Sequence, residues 1–229
     1  MPEWRVFDSV DALVSKLADT LCAEAETAIL ARGVFHLVLA GGATPRALYR
    51  ELAARQAGDA RWHVWFGDER CLPADHPERN SVMSETAWLA ASRIPPANRR
   101  PIPAELGAAE AVARYAGWLK DESDFDVVLL GMGEDGHTAS LFPRHDWGDA
   151  PASPDVLAVF DAPKPPPERV SLSAARLNRS RHVWFVVTGA GKREALLRWR
   201  QGEELPVSAV RSGLETVAWL DQAAWPAGQ

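Results

Sequence analysis

The chain has 229 residues, of which 47% are hydrophobic and 24% are charged, and its formal net charge is −6. This composition suffices for the full core of one α/β domain, and the negative charge argues against nucleic acid as a partner, because a phosphate backbone requires a basic surface. No apolar run reaches the roughly eighteen residues of a membrane-spanning helix. The N-terminus lacks the apolar region of a secretory signal, and Cys22 and Cys71 form no C-x-x-C motif, so we expect a cytoplasmic chain with reduced thiols.

The first half of the chain alternates strand-like and helical segments. In the helix predicted over 9–32, Leu13, Leu17 and Leu21 fall near one face, and Gly33 is suited to end it. The predicted elements of this half, in chain order, are a strand at 4–7, that helix, a strand at 34–40, a helix at 45–56, a strand at 61–66, and helices at 80–92 and 108–120.

The second half opens with the clearest buried strand, 125–131, which runs directly into a glycine-rich turn and a helix of barely two turns. Strands at 156–161, 168–173 and 181–187, a helix from about 192 and a strand at 216–220 follow. Such alternation predicts an α/β fold in which helices cover both faces of a mainly parallel sheet. The loops at 144–154 and 163–168 are too short to be interdomain linkers, so we predict a single domain over 1–229.

Four of the ten tryptophans, Trp62, Trp65, Trp184 and Trp219, fall in strand-like runs. We interpret them as wide anchors of the core rather than as ligand-stacking groups. His36 lies in a strand with no acid beside it, and we interpret it as an interior residue as well.

Polar and glycine-rich segments follow four of the predicted strands. They are GGATP at 41–45, GDER at 67–70, GMGEDGH at 131–137 and TGAGK at 188–192. Ligands of open α/β sheets bind at the carboxyl ends of the strands, where loops and helix N-termini gather. We therefore expect these segments to form one crevice, and an anionic small molecule is compatible with it if basic residues converge there.

The GGATP segment has the features of an anion-binding turn. Gly41 and Gly42 let backbone N–H groups approach an oxyanion, Thr44 adds a hydroxyl donor, and a helix begins there with its positive dipole end. A plain tight turn is the alternative. TGAGK lacks the full phosphate-loop spacing of the nucleotide triphosphatases, yet Lys192 at a helix start is suited to meet a phosphate, unless it is only a solvated lysine.

Gly131, Gly133 and Gly136 match the dinucleotide-binding spacing G-x-G-x-x-G. Glu134 and Asp135 occupy its variable positions, where negative charge would repel a diphosphate, and the turn lies past the middle of the chain instead of at the first strand–helix junction. We therefore reject a nicotinamide cofactor and predict no cofactor.

The same turn carries His137 beside Glu134 and Asp135. Histidine titrates near neutrality, so it is able to take and return a proton, and a neighbouring acid orients its ring. The alternative is a histidine that is only hydrogen-bonded at a helix start. The chain has no G-x-S-x-G motif and no H-E-x-x-H or paired Cys/His spacing, so neither a serine hydrolase nor a metal site is predicted.

Several strings resemble one known family, the 6-phosphogluconolactonases. They are LAGGATP at 39–45, FGDERCLPADHPERNS at 66–81, GMGEDGHTASLFP at 131–143, PPERVSL at 166–172 and VVTGAGKREAL at 186–196. These enzymes share a modified Rossmann-like fold with glucosamine-6-phosphate deaminases. The resemblance spans about residues 37–196, and Arg79 departs from it, since the family often has serine before Asn80.

The resemblance implies hydrolysis of 6-phosphoglucono-1,5-lactone to 6-phosphogluconate, a step of the oxidative pentose phosphate pathway, without a metal. It also implies the substrate-binding residues. The phosphate is taken by Gly41, Gly42, Thr44, Arg169 and Lys192, while Arg70 contacts the substrate and Asp68 and Asn80 shape the pocket. Arg70, Arg169 and Lys192 should then surround one pocket, although they come from distant segments.

As a mechanism we hypothesise that His137 removes a proton from the attacking water and returns it to the departing ring oxygen. Asp135 or Glu134 would hold the ring, and the N–H groups of the glycine turn or Arg70 would stabilise the oxyanion. The rivals are a sugar-phosphate isomerase or deaminase and a non-enzymatic phosphosugar-binding module. The sequence leaves the oligomeric state open between monomer and dimer.

Overall fold

The computed structural model describes residues 1–226, so 227–229 of the predicted domain lie outside the described residues. Its strands, in chain order, are β1 (Glu3–Phe7), β2 (Phe35–Leu39), β3 (Trp62–Phe66), β4 (Asp68–Arg70), β5 (Phe125–Leu130), β6 (Val156–Val159), β7 (Arg169–Leu172), β8 (Ser180–Val187) and β9 (Glu215–Asp221). Its α-helices are α1 (Val10–Arg32), α2 (Ala43–Ala54), α3 (Asn80–Ala87), α4 (Ala108–Leu119), α5 (Ala174–Asn178), α6 (Arg193–Arg200) and α7 (Pro206–Ala209).

Six strands form one sheet in the order β1-β9-β8-β5-β2-β3, and every pair in it is parallel. Helices surround this sheet, which confirms the predicted α/β class. The capping signals of α1 act as expected, because Ser9 Oγ accepts from the N–H of Ala12 at 3.2 Å and Gly33 ends the helix at φ 83°. Among residues 1–226, no helix has both the length and the apolar character that crossing a bilayer requires.

Three short strands do not join the parallel sheet. β4, β7 and β6 form a separate antiparallel sheet, with β7 in the centre. The polar segment GDER, expected only to follow the strand at 61–66, itself contains strand β4, and the strands predicted at 156–161 and 168–173 belong to this second sheet. Strand patterns in the sequence report local preference and burial, whereas the partner of a strand is set by contacts between distant segments.

Two predicted helices also differ in the structure. The turn at 131–137 leads into further turns closed by a bridge between Thr138 and Leu141, not into a helix. The helix predicted over 80–92 ends at Ala87 and gives way to a 3₁₀ turn, Leu89–Ala91. In both places tertiary packing selected a tighter backbone than the predicted helix.

The core confirms the interpretation of the tryptophans. Trp65, Trp184 and Trp219 are fully buried, and Trp62 is 5% exposed. His36 is also interior, since it is 6% exposed and its Nδ1 receives the indole N–H of Trp65 at 3.3 Å.

The sheet order explains why the four polar segments meet. Strands β8, β5, β2 and β3 are consecutive neighbours in the sheet, and each one ends in one of these segments. Because the strands are parallel, their carboxyl ends lie along the same edge. The loops of four adjacent strands therefore surround a single crevice.

Candidate active site

A cavity of about 340 Å³ lies at this edge of the sheet. Eight of the ten predicted site residues line it: Gly41, Gly42, Asp68, Arg70, Asn80, His137, Arg169 and Lys192. The expectation that three distant basic residues share one pocket is met, since Arg70, Arg169 and Lys192 are all in that set. The two remaining residues, Thr44 and Asp135, are not among the lining residues, but Asp135 contacts the lining residue His137.

Asp135 is the acid that contacts the histidine. Its Oδ1 lies 2.5 Å from Nδ1 of His137, whose side chain is 18% exposed. A carboxylate only accepts hydrogen bonds, so Nδ1 carries the hydrogen and the neutral ring keeps its lone pair on Nε2. Glu134 instead lies beside the segment 188–192, where a Cβ added to Gly191 would be 3.0 Å from its Oε1. Of the two acids between which the sequence left a choice, Asp135 is therefore the one in contact with the ring.

Two opposing effects act on the His137 ring. Burial lowers its pKa, the carboxylate of Asp135 raises it, and the net result is a pKa below the ordinary value of 6.5. For Asp135 burial acts in the raising direction, but its interactions with His137 prevail and its pKa is lowered. The pair is therefore an ionised carboxylate and a neutral imidazole at neutral pH, which is the state that a general base requires.

The glycine turn is shaped around this pair. A Cβ on Gly133 would lie 2.0 Å from Nδ1 of His137, so only glycine leaves room for the ring. The N–H of Gly133 donates to the His137 carbonyl at 2.8 Å, and the N–H of Gly136 donates to the Gly133 carbonyl at 3.1 Å. Since these two N–H groups are used inside the turn, they are not available as oxyanion donors.

The GGATP segment forms the start of α2. Gly42 is the N-cap residue at φ 112°, and no side chain caps the helix, so its first N–H groups are left for another partner. A Cβ on Gly41 would lie 2.0 Å from Oδ1 of Asn80, which explains the first glycine as a point of close approach. The Thr44 hydroxyl lies 2.6 Å from that of Thr188 and so ties this turn to the segment 188–192.

The basic residues differ in how far their donors are already used. Arg70 donates through Nη1 to the Glu78 carbonyl, whereas its Nε is buried and has no hydrogen-bond partner among residues 1–226. Lys192 is half-buried, and burial lowers the pKa of its amine while the charge of Glu134 opposes that shift. Sequence reasoning missed Lys164, which also lines the cavity. No spacing signal marks Lys164, which lies in the proline-rich loop at 163–168.

Asp68 and Asn80 form one buried polar unit in the cavity wall. Nδ2 of Asn80 donates to the backbone carbonyl of Asp68 at 2.9 Å and to its Oδ1 at 3.1 Å. Oδ2 of Asp68 accepts from the Ser140 hydroxyl at 2.6 Å. These bonds connect β4, α3 and the segment after the glycine turn, so three separate segments hold this part of the cavity wall in place.

Glu69 is a further residue that the sequence did not reveal. It is fully buried, and its carboxylate accepts from the N–H groups of Arg70, Asn80 and Ser81 at 2.9, 2.8 and 2.9 Å. Arg79, where the chain departs from the resembled family, is 3% exposed and lies 3.5 Å from this carboxylate. Glu69 therefore fixes the start of α3 and, through it, the position of Asn80.

Comparison with known proteins identifies the family of the chain. The family model described as glucosamine-6-phosphate isomerases/6-phosphogluconolactonase matches residues 8–219. The chain belongs to this family. A human 6-phosphogluconolactonase is 38% identical, with 96% of this chain and 91% of the human protein covered. The crystal structure of 6-phosphogluconolactonase from Thermotoga maritima covers 97% of this chain and 100% of that one, at a TM-score of 0.90 and 26% identity.

The family also occurs within longer proteins. The GDH/6PGL endoplasmic bifunctional protein of Oryctolagus cuniculus is 38% identical over 91% of this chain, and this chain spans only 28% of its length. The family description itself joins isomerases and lactonases. Family membership therefore fixes the fold and leaves the reaction to be argued from the site.

Proposed function

We propose that this chain hydrolyses 6-phospho-D-glucono-1,5-lactone to 6-phospho-D-gluconate, a step of the oxidative pentose phosphate pathway. The observation that carries the proposal is the His137–Asp135 pair in a cavity that Arg70, Arg169 and Lys192 also line. Such a cavity offers a neutral base for the ester carbonyl together with positive charge for a phosphate. The proposed reaction needs no cofactor and no metal.

In the proposed mechanism Nε2 of His137 takes a proton from water as the water oxygen bonds to C1 of the lactone. The tetrahedral intermediate then collapses, the bond between C1 and the ring oxygen breaks, and the imidazolium gives its proton to that oxygen. Asp135 holds the ring and stabilises its charged form. The buried Nε of Arg70 is our candidate donor to the oxyanion, because the N–H groups of Gly133 and Gly136 are engaged within the turn.

The phosphate is assigned to the part of the cavity that Gly42 and Lys192 line. The uncapped N–H groups at Gly42 and the start of α2 are suited to its oxygens, and Lys192 supplies a charged donor. Arg169 adds positive charge at this wall. We also propose a cytoplasmic location, which the free thiols of Cys22 and Cys71 support.

The test is a lactonase assay with freshly prepared 6-phosphogluconolactone, corrected for spontaneous ring opening. We expect hydrolysis above the background rate and no release of ammonia from glucosamine 6-phosphate. Ammonia release without lactone hydrolysis would assign the chain to the isomerase and deaminase branch. Binding of the lactone without turnover of either compound would indicate a phosphosugar-binding module.

A further inference from the structure

The loop between β6 and β7 presents one charged side chain to the cavity. Lys164 lies in the segment 163–167, in which the four remaining residues are all proline. Its side chain is exposed at the rim of the cavity that His137 and Lys192 also line. The ion pairs found among residues 1–226 do not include the amine of Lys164. Lys164 is therefore a cation at the cavity without an internal partner.

Arg169 holds this loop in place. It is only 6% exposed and begins β7, the central strand of the small sheet. Its Nε donates to the Pro166 carbonyl at 3.1 Å, and its Nη2 donates to the carbonyls of Lys164 at 2.9 Å and Pro165 at 3.3 Å. The same guanidinium lies 5.5 Å from the centroid of the Phe142 ring. Two of its three nitrogens are thus occupied by the loop backbone.

The prolines and the arginine act together. Proline has no N–H and a fixed φ, so the segment 163–167 is stiff and offers few donors to its own carbonyls. The planar guanidinium of Arg169 supplies those donors. The single ammonium group of a lysine would bind several carbonyls less well. A stiff loop loses little conformational entropy when a ligand binds, and this favours a binding role for the side chain at its tip.

We propose that Lys164 binds the phosphate of the substrate and that Arg169 is a positioning residue, which holds the loop that carries Lys164. This inference rests on the proposed lactonase function and deepens it. Lys164 and Lys192 line the same cavity. Burial is the largest cause lowering the pKa of Lys192, and the charge of Lys164 lowers it further. A bound dianionic phosphate would relieve their repulsion.

The first experiment compares two lactones. We expect Lys164→Met to raise KM for 6-phosphogluconolactone about tenfold or more, because a charged hydrogen bond is lost, with kcat changed less than about twofold. The kcat/KM for unphosphorylated glucono-1,5-lactone should stay the same. Lys16→Met, an exposed lysine on α1, is the matched control and should leave both substrates unaffected. A KM for the phosphorylated lactone equal to that of the parent would overturn the role of Lys164.

The second experiment tests whether Arg169 acts through Lys164. Arg169→Lys keeps the charge and loses the fork, and we expect it to raise KM for the phosphorylated lactone as well. In a protein that already carries Lys164→Met, Arg169→Lys should raise this KM by less than about twofold more. The reason is that Arg169 is proposed to act only through Lys164. If the double variant instead raised KM by the product of the two single effects, Arg169 would contact the phosphate independently. This result would overturn its positioning role.

Calorimetry with inorganic phosphate separates this inference from the proposed function. If the parent protein hydrolyses neither lactone, the proposed function fails. The binding of inorganic phosphate still decides the inference, because Lys164→Met should weaken it whether or not the chain is a lactonase. An unchanged Kd for phosphate would overturn the inference, even in an active lactonase.

Discussion

At the scale of single residues, the pairing of His137 with Asp135 carries the proposed chemistry. The contact of 2.5 Å fixes which ring nitrogen has the hydrogen and leaves Nε2 as the base. We predict that His137→Asn lowers kcat by about 10²–10⁴-fold, the usual contribution of general base catalysis. The Kd for inorganic phosphate, measured by calorimetry, should stay the same. A variant with parental kcat would remove His137 from the mechanism.

The lowered pKa of His137 predicts the pH dependence of the reaction. Protonation abolishes the base, so kcat/KM should fall as the pH drops through the histidine pKa, and this decline should lie below pH 6.5 because burial lowers that pKa. Asp135 raises the pKa, so Asp135→Asn should move the decline to still lower pH while reducing kcat. Profiles of kcat/KM against pH for both proteins test this, and a decline centred above pH 6.5 would contradict it.

At the scale of elements, the turn after β5 is built so that its glycine leaves space for a ring. Gly133 does not have a left-handed backbone, so alanine is tolerated by the chain, but its Cβ would lie 2.0 Å from Nδ1 of His137. We predict that Gly133→Ala displaces the ring and lowers kcat about 10²-fold, as small misplacements of a catalytic group do. The midpoint of urea unfolding should change little.

The control for this prediction is Gly117→Ala in α4, where an added Cβ meets nothing within 4 Å. It should leave kcat at the parental value. If Gly133→Ala unfolds the protein or leaves kcat unchanged, the turn is not arranged around the histidine ring in the way we describe.

At the scale of the whole molecule, the core that supports the site depends on wide aromatic side chains. Trp65 of β3 is fully buried, and its ring centroid lies 6.1 Å from that of Tyr115 and 6.0 Å from that of Phe125. We predict that Trp65→Ala lowers the free energy of unfolding by about 3–5 kcal/mol, through lost burial and a residual cavity. Urea unfolding followed by circular dichroism measures this.

Trp118, which is 42% exposed, provides the comparison. Trp118→Ala should cost much less stability than Trp65→Ala, because less of its surface is removed from water on folding. Equal losses in the two variants would mean that burial does not decide the contribution of these rings.

Local signals in the sequence determined the α/β class, the boundaries of α1 and most of the polar residues at the strand ends. Apolar periodicity and caps such as Ser9 and Gly33 depend only on residues that are neighbours in the chain, so the sequence alone predicts them. The glycines and the charged groups of the four segments were recognisable for the same reason, and so was the candidate base His137.

Only the tertiary structure decided which of these residues touch. It placed Asp135 rather than Glu134 against the His137 ring, and it placed the hydroxyl of Thr44 against that of Thr188. It also brought Glu69 and Lys164 to the site without any signal in the sequence. It also moved three short strands into a second sheet. The reason is physical. A contact between distant segments depends on packing, on burial and on which hydrogen-bond partner each polar atom finds in the folded chain, and no local sequence pattern determines these.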